Sequence, residues 1–391
     1  MTALADIGGD IAARARRLET LQASLCAVVA ACDDAAMRAR AHPALSPLGW
    51  HLRHCAFVEA LWVRERVLGD DSLTAPLVDD CMPERAPKDL RGARLPPREA
   101  LLSWADTTMA ENRAALARAR GHPMLAQGYL WDFLINHHAQ HLETMAMVRC
   151  ALQMAAGGAD ETPAGAPLAP APPEWRAARV AAGRHVIGAA AGFAFDNERP
   201  AIAVDLPAFA IAENPVSNAQ YLAFMDAGGY RDDTAWDAAG RAWRDAAAAA
   251  APYGWRRDAR GGWYAVGPAG PEPLAPGAPV IGLCHHEAKA FARWAGAALP
   301  HEYQWEAAAA RGLLRDAGRA WEWCANPLHG YPGFRAFPYR EYSAPWFDGR
   351  HFVLRGGGRH GEAETRRPSF RNYYQPHCRH IFAGLRLRLY A

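Results

Sequence analysis

Residues 136–145 read NHHAQHLETM and place three histidines within five positions. On a helix His137 and His141 leave the same face, so their imidazoles can reach one ion. Two ligands do not complete a site. A facing helix can supply a third, and WHLRHC upstream offers His51 and His54. Three neutral imidazoles leave coordination positions open, as an oxygen-activating iron or a hydrolytic zinc requires. The same pair also suits a histidine-rich helix turn with no metal, and spacing alone chooses neither the reading nor the ion. His54 and His138 point to other faces and read as structural. Glu143 lies off the line joining the pair; it suits accepting an N–H from a ligand imidazole, or facing solvent.

These residues need helices to hold them. Up to about Met154 the chain is rich in Ala, Leu, Arg and Glu with apolar residues at helical spacing. The segments run from about 10 to 40, Ser46 to Leu68, Pro97 to Arg120 and Met124 to Met154, the number for an antiparallel four-helix bundle. The stretch DDCMPERAPKDLRGARLPP between the second and third is too rich in proline and charge to pack as a helix. Residues 155–175, AAGGADETPAGAPLAPAPPEW, read as a linker. Beyond it, Gly, Trp, Tyr and Pro become frequent, and short apolar stretches (HVIGAAAGFAF, AIAVDLPAFAIA, HFVLRGGG) alternate with turn signals. Helices are expected at SNAQYLAFMDAGG and as a pair broken at Pro300 in HHEAKAFARWAGAALPHEYQWEAAAARG. The second half is therefore an α+β domain with many loops.

The 391 residues exceed a single core at roughly 150 residues per domain. With 43 basic against 41 acidic residues there is no field for a polyanion, which argues against nucleic acid. The N-terminus lacks the apolar core of a signal peptide and no run of about 18 apolar residues occurs, so a cytoplasmic protein off the membrane is expected. Eight cysteines without a CxxC pair fit reduced thiols and no four-cysteine zinc site.

The pattern His137-x3-His141-x-Glu143 with WHLRH upstream resembles the iron-binding motif of the DinB-like domain in the sulfoxide synthases of ergothioneine and ovothiol biosynthesis. The second half is similar to their formylglycine-generating-enzyme-like, C-type-lectin-related domain through FDNE (195–198), NPVSNAQYLAFMDAGGY (214–230), ARWAGAALPHEYQWEAAA, WEWC (321–324), GYPGFRAFPYREYS (330–343), VLRGGG and RPSFRNYYQPHCRHIFAGLRL. The resemblance implies a DinB-like four-helix bundle over 1–154, the linker, and the second domain over 176–391. It implies a mononuclear non-haem Fe(II) enzyme that uses O2 to join a sulfur or selenium nucleophile to the imidazole of a histidine derivative. Carried onto this sequence, His51, His137 and His141 become the iron ligands, with Glu143 holding a ligand imidazole. Gln140 hydrogen-bonds the substrate imidazole, Tyr339 is the acid or hydrogen donor, and Tyr342 touches the trimethylammonium end of hercynine. Asn372, Tyr373, Tyr374 and Arg91 complete the substrate-binding set. A quaternary ammonium has no N–H to donate and is best held by aromatic faces such as Tyr342 and Tyr373.

Departures from the family pattern concern the donor side. Mycobacterial-type ergothioneine synthases carry Trp then an acid after FRN, whereas Asn372 is followed here by Tyr373 and Tyr374. A phenol suits a sugar better than an ammonium. RGGG followed by RHGEAE also replaces the relatives' RGGSW. This resembles the selenoneine synthase branch, which implies hercynine, a selenosugar (1-seleno-β-D-glucose) and O2 as reactants, with a homo-oligomer left open. No methyltransferase segment follows Ala391, so hercynine is expected from another enzyme. The second reading keeps the chemistry with cysteine or γ-glutamylcysteine as donor. A third takes the two domains as a metal-dependent hydrolase, thiol transferase or binding module.

Overall fold

The computed structural model describes residues 2–157 and 166–390, with side chains from residue 10 onward. The chain forms two compact units, Met1–Gly157 and Gly158–Ala391.

The first unit is helical: α1 (Thr2–Ala30), α2 (Asp34–Arg38), α3 (Leu48–Ala60), α4 (Val78–Cys81), α5 (Arg98–Arg118) and α6 (Tyr129–Ala155). In α1, Leu18, Leu21, Leu25 and Val29 recur on one face and are all buried. The expected first helix breaks after Ala30 because Asp33 caps a new one, its side chain accepting from Ala36 N–H. Every residue of α3 except Arg53 is buried, making it the inner helix of the bundle. It continues as a π-helical turn over Leu61–Val67, a form frequent near functional sites. The last helix starts at Tyr129, later than expected, because Gln127 and Gly128 take left-handed conformations that end the preceding 3-10 turn.

Residues 158–165 of the expected linker lie outside the described residues. The part after them packs onto the second unit: Leu168 is buried and Ala171 N–H donates to Ala219 O.

The second unit contains β1 (Ala177–Val180), β2 (Gly183–Ile187), β3 (Ile202–Leu206), β4 (Phe209–Ala212), α7 (Asn218–Asp226), α8 (Ala238–Ala247), β5 (Trp255–Arg257), β6 (Trp263–Gly267), β7 (Gly270–Pro273), α9 (His285–Trp294), α10 (Glu302–Ala309), β8 (Trp321–Pro327), β9 (Phe352–Arg355), β10 (Asn372–Tyr374), β11 (Ala383–Gly384) and β12 (Arg388–Leu389). Its small sheets have orders β1-β4-β12, β10-β9-β8-β11, β2-β3 and β5-β6-β7, antiparallel except for β11 on β8. The mixed α+β class follows. Pro300 separates α9 from α10 as expected, with His301 capping α10. The α8 helix arises from DAAGRAWRDAAAAA, whose N-cap Asp237 accepts from Gly240 N–H.

Beside its apolar clusters this unit buries ion pairs. Glu302 and Glu306 on α10 accept from Arg355 Nη2 at 2.7 and 2.9 Å, and Arg371 grips Glu302 through two nitrogens at 2.8 Å. Burial alone would raise Glu302, but Arg371 and then Arg355 hold it at about 2.

Candidate active site

In the bundle, α3 and α6 bring four imidazoles together. The rings of His54, His137 and His141 lie 4.5 to 5.2 Å apart between centroids. One nitrogen from each falls within 4.8 Å of the other two. Helical spacing explains half of this, since His137 and His141 are successive members of one ridge of α6. The other half is tertiary: α3 delivers His54 to the same point.

The His54 ring is held in the tautomer that a ligand needs. Its Nδ1–H donates to Cys81 O at 2.8 Å, which leaves Nε2 bare, the usual way a second hydrogen bond selects the metal-binding tautomer. Its ring stacks on Trp50 at 4.7 Å, and Trp50 Nε1–H is anchored on Asp80 O. His51, on the same helix, has Nδ1 2.9 Å from His141 Nδ1. His51 thus also reaches the cluster, through His141, and the triplet whose ligand atoms all lie within 4.8 Å of one another contains His54.

Burial, followed by neighbouring positive charge, pushes His51 down to about 3. Burial likewise lowers His54 to about 4, and sends His137 and His141 well below the ordinary range. The rings are therefore neutral donors at pH 7. His51 Nε2 and His137 Nδ1 are buried without a hydrogen-bond partner. A cluster of neutral, under-satisfied imidazoles fits a borderline transition ion such as iron or zinc, and does not suit Mg2+ or Ca2+.

On α6, Gln140 is half-buried with Nε2 3.3 Å from Asn136 O, and Glu143 is buried. Arg91 is buried in the loop before α5 and its donors are committed: Nε to Ala86 O, Nη1 to Ser46 Oγ and Nη2 to Pro83 O at 2.5 to 2.9 Å. Its guanidinium lies 3.9 Å from the Trp50 ring centre. Arg91 thus staples the loop and supports Trp50.

In the second unit the expected tyrosines form an aromatic patch. Tyr342 stacks on Phe195 at 4.3 Å, with Tyr339 edge-on to it at 6.2 Å. Tyr373 O–H donates to Tyr342 O at 2.6 Å, and burial raises its phenol above the usual range. Asn372 Oδ1 accepts from Tyr373 N–H, and Tyr374 on β10 stands edge-on to His380 at 6.0 Å. The loop carrying Tyr339 and Tyr342 is tied to Asp196, which accepts from Ser343 Oγ at 2.5 Å and from Phe337 N–H at 3.3 Å. Glu198 of the same FDNE motif pairs with Arg367, and Asn197 O accepts from Arg371.

Two family models match: the DinB superfamily over residues 17–145, and the sulfatase-modifying factor enzyme 1-like domain over 171–317 and 310–389. The chain is 33% identical over 91% of its length to a hercynine oxygenase of Mycolicibacterium thermoresistibile, covering 90% of that protein. It is 32% identical to the hercynine oxygenase of Mycobacterium tuberculosis over 91% of its length, covering 93% of that protein. A formylglycine-generating enzyme of Streptomyces coelicolor matches at 32% over 34% of the chain, covering 44% of that protein. The chain belongs to the ergothioneine sulfoxide synthase family.

Membership makes this an oxidoreductase and sets aside the hydrolase and binding-module readings. Among the described residues no helix is long and apolar enough to cross a membrane. Two residues of the enzyme gain importance beyond the expected set. His54 had a signal in the sequence, since WHLRH puts two histidines three apart on one helix, but only the position of α6 decides how each of them meets His137 and His141. Asp196 stood in the FDNE motif without a role; its carboxylate organises the loop of Tyr339 and Tyr342.

Proposed function

We propose that the enzyme is an O2-dependent oxygenase that joins hercynine to a sulfur nucleophile, cysteine or γ-glutamylcysteine, through a carbon–sulfur bond. The observation that carries this reading is the convergence of His54, His137 and His141 on one point of the bundle, in a chain so similar to hercynine oxygenases. These three residues would hold Fe(II), which when bound supplies the one-electron chemistry with O2. His51 orients His141 through its Nδ1 contact, and Glu143 fixes a ligand ring from the same helix. Gln140 hydrogen-bonds the substrate imidazole. Tyr342, backed by Phe195, and Tyr373 offer ring faces to the trimethylammonium group. Tyr339 supplies a proton from a neutral hydroxyl, while Asn372 and Arg91 shape their surroundings through the contacts described.

A second reading, with the selenosugar 1-seleno-β-D-glucose as donor, rests on β10, where Tyr373 and Tyr374 present phenols and no carboxylate follows Asn372. Both readings are tested by loading the protein with Fe(II) anaerobically and adding hercynine, O2 and each donor in turn. Hercynine-dependent O2 uptake with a sulfur-linked product is expected for the cysteine donors. Turnover with the selenosugar alone would replace the first reading by the second, and O2 uptake with none of the donors would overturn both.

A further inference from the structure

A second group of donors lies on the same two helices. Cys55 follows His54 on α3 and His138 follows His137 on α6, so each is turned about 100° from its neighbour. Cys55 Sγ and one nitrogen each of His137 and His138 lie within 4.8 Å of one another. Cys55 and His138 are both completely buried.

Their polar atoms are unevenly satisfied. His138 Nε2–H donates to Glu59 Oε1 at 2.7 Å, and the same oxygen accepts from Gln22 Nε2 at 2.6 Å. This fixes the His138 ring and leaves its Nδ1 buried without a partner, as are His137 Nδ1 and Glu59 Oε2. Each orphaned buried atom costs about 1–3 kcal/mol, so several on the residues of one donor group need a physical reason. A water could satisfy the nitrogens, but it makes no use of the sulfur.

We propose that Cys55, His137 and His138 form a second metal site, selective for thiolate-seeking ions such as Zn2+ or Cu+. Sulfur with two imidazoles is a soft to borderline donor set, whereas the three-histidine group offers nitrogen alone. Coordination releases the thiol proton to solvent. Because His137 belongs to both groups, an ion in the softer site withdraws it from the three-histidine set, and Zn2+ then inhibits turnover. The inhibition rests on the function proposed above; the binding does not.

The test uses the metal-free, reduced full chain with Co2+ as probe. A near-ultraviolet thiolate-to-cobalt charge-transfer band is expected in the wild type, lost in Cys55→Ser and kept in His54→Ala. No such band in the wild type, or one that survives Cys55→Ser, would overturn the site. Should Cys55→Ser not fold, His138→Gln retains a donor to Glu59: cobalt binding weakened by more than about 100-fold in the thiolate band, as for loss of a direct ligand, supports the proposal, and unchanged binding refutes it. Zinc-edge X-ray absorption of the wild type should show a sulfur at about 2.3 Å, and a shell of only nitrogen and oxygen would contradict it. None of these readouts depends on turnover, so their failure leaves the hercynine reading standing.

Discussion

The two units hold different kinds of buried polar group, a cluster of neutral imidazoles in the bundle and a network of paired charges in the α+β unit, in which Arg355 Nε still has no partner. In the bundle, imidazoles crowd one point and several of their nitrogens have no partner. In the α+β unit, Glu302 and Arg371 are equally buried yet matched to opposite charges: Arg371 holds both oxygens of Glu302, and Arg355 adds a third contact. Buried charge is tolerated when paired. Neutral donors left unsatisfied are tolerated where a ligand completes them. The imidazole cluster and the carboxylate–guanidinium network thus differ in charge and pairing, although both sets look alike as buried polar side chains.

Breaking the paired network should have the largest effect on stability. Glu302→Gln removes the charge that both arginines face, and a loss of about 3–5 kcal/mol is expected in denaturant unfolding of the second unit. Cobalt or iron binding by the bundle should survive in folded protein; if it is lost as well, the separation of roles fails.

On the bundle side, His54→Ala should reduce metal affinity by more than about 100-fold, measured by competition with a chromophoric chelator, because a direct ligand is removed. His51→Ala should cost only about tenfold, as expected for a residue that orients a ligand. Equal losses would mean that His51 is itself a ligand, as the family pattern implied.

Acid should distinguish the units next. His51 and His54 titrate at about 3 and 4 when folded, against 6.5 when unfolded. Between those values the unfolded chain binds more protons, so each histidine removes about 1.4 kcal/mol of stability per unit as pH falls below 6.5. Glu302 is depressed in the same sense but over a lower window: its contribution is complete above 4.5 and fades only as pH falls toward 2. Hydrogen exchange of the metal-free protein at pH 5 should therefore show α3 and α6 opening before α10.

The smallest effect is expected at the tyrosine loop. Ser343→Ala leaves an Asp196 oxygen short of one hydrogen bond and should cost about 1 kcal/mol. It should raise KM for hercynine while metal affinity stays unchanged, a split readable in steady-state O2 uptake.

Local pattern carried much of the architecture. The helical segments were visible because apolar spacing and caps act over a few residues, and Pro300 divides α9 from α10 by chemistry that needs no tertiary partner. The α8 helix was missed because its alanine-rich run resembles a loop between aromatic strands until Asp237 is recognised as its cap. Arg91 matched a substrate-gripping arginine by sequence, which did not reveal that it is buried against Trp50 and bonded to its own loop.

The sequence by itself determined the family, the α+β class and the pair His137 and His141, because a family motif and an i, i+4 spacing are written along the chain. Only the tertiary structure decided that His54 converges with His137 and His141, that Asp196 holds the tyrosine loop, and that Cys55 meets His138. Those outcomes depend on the rotation of α3 against α6 and on contacts between residues distant along the chain, which neither helical periodicity nor composition encodes.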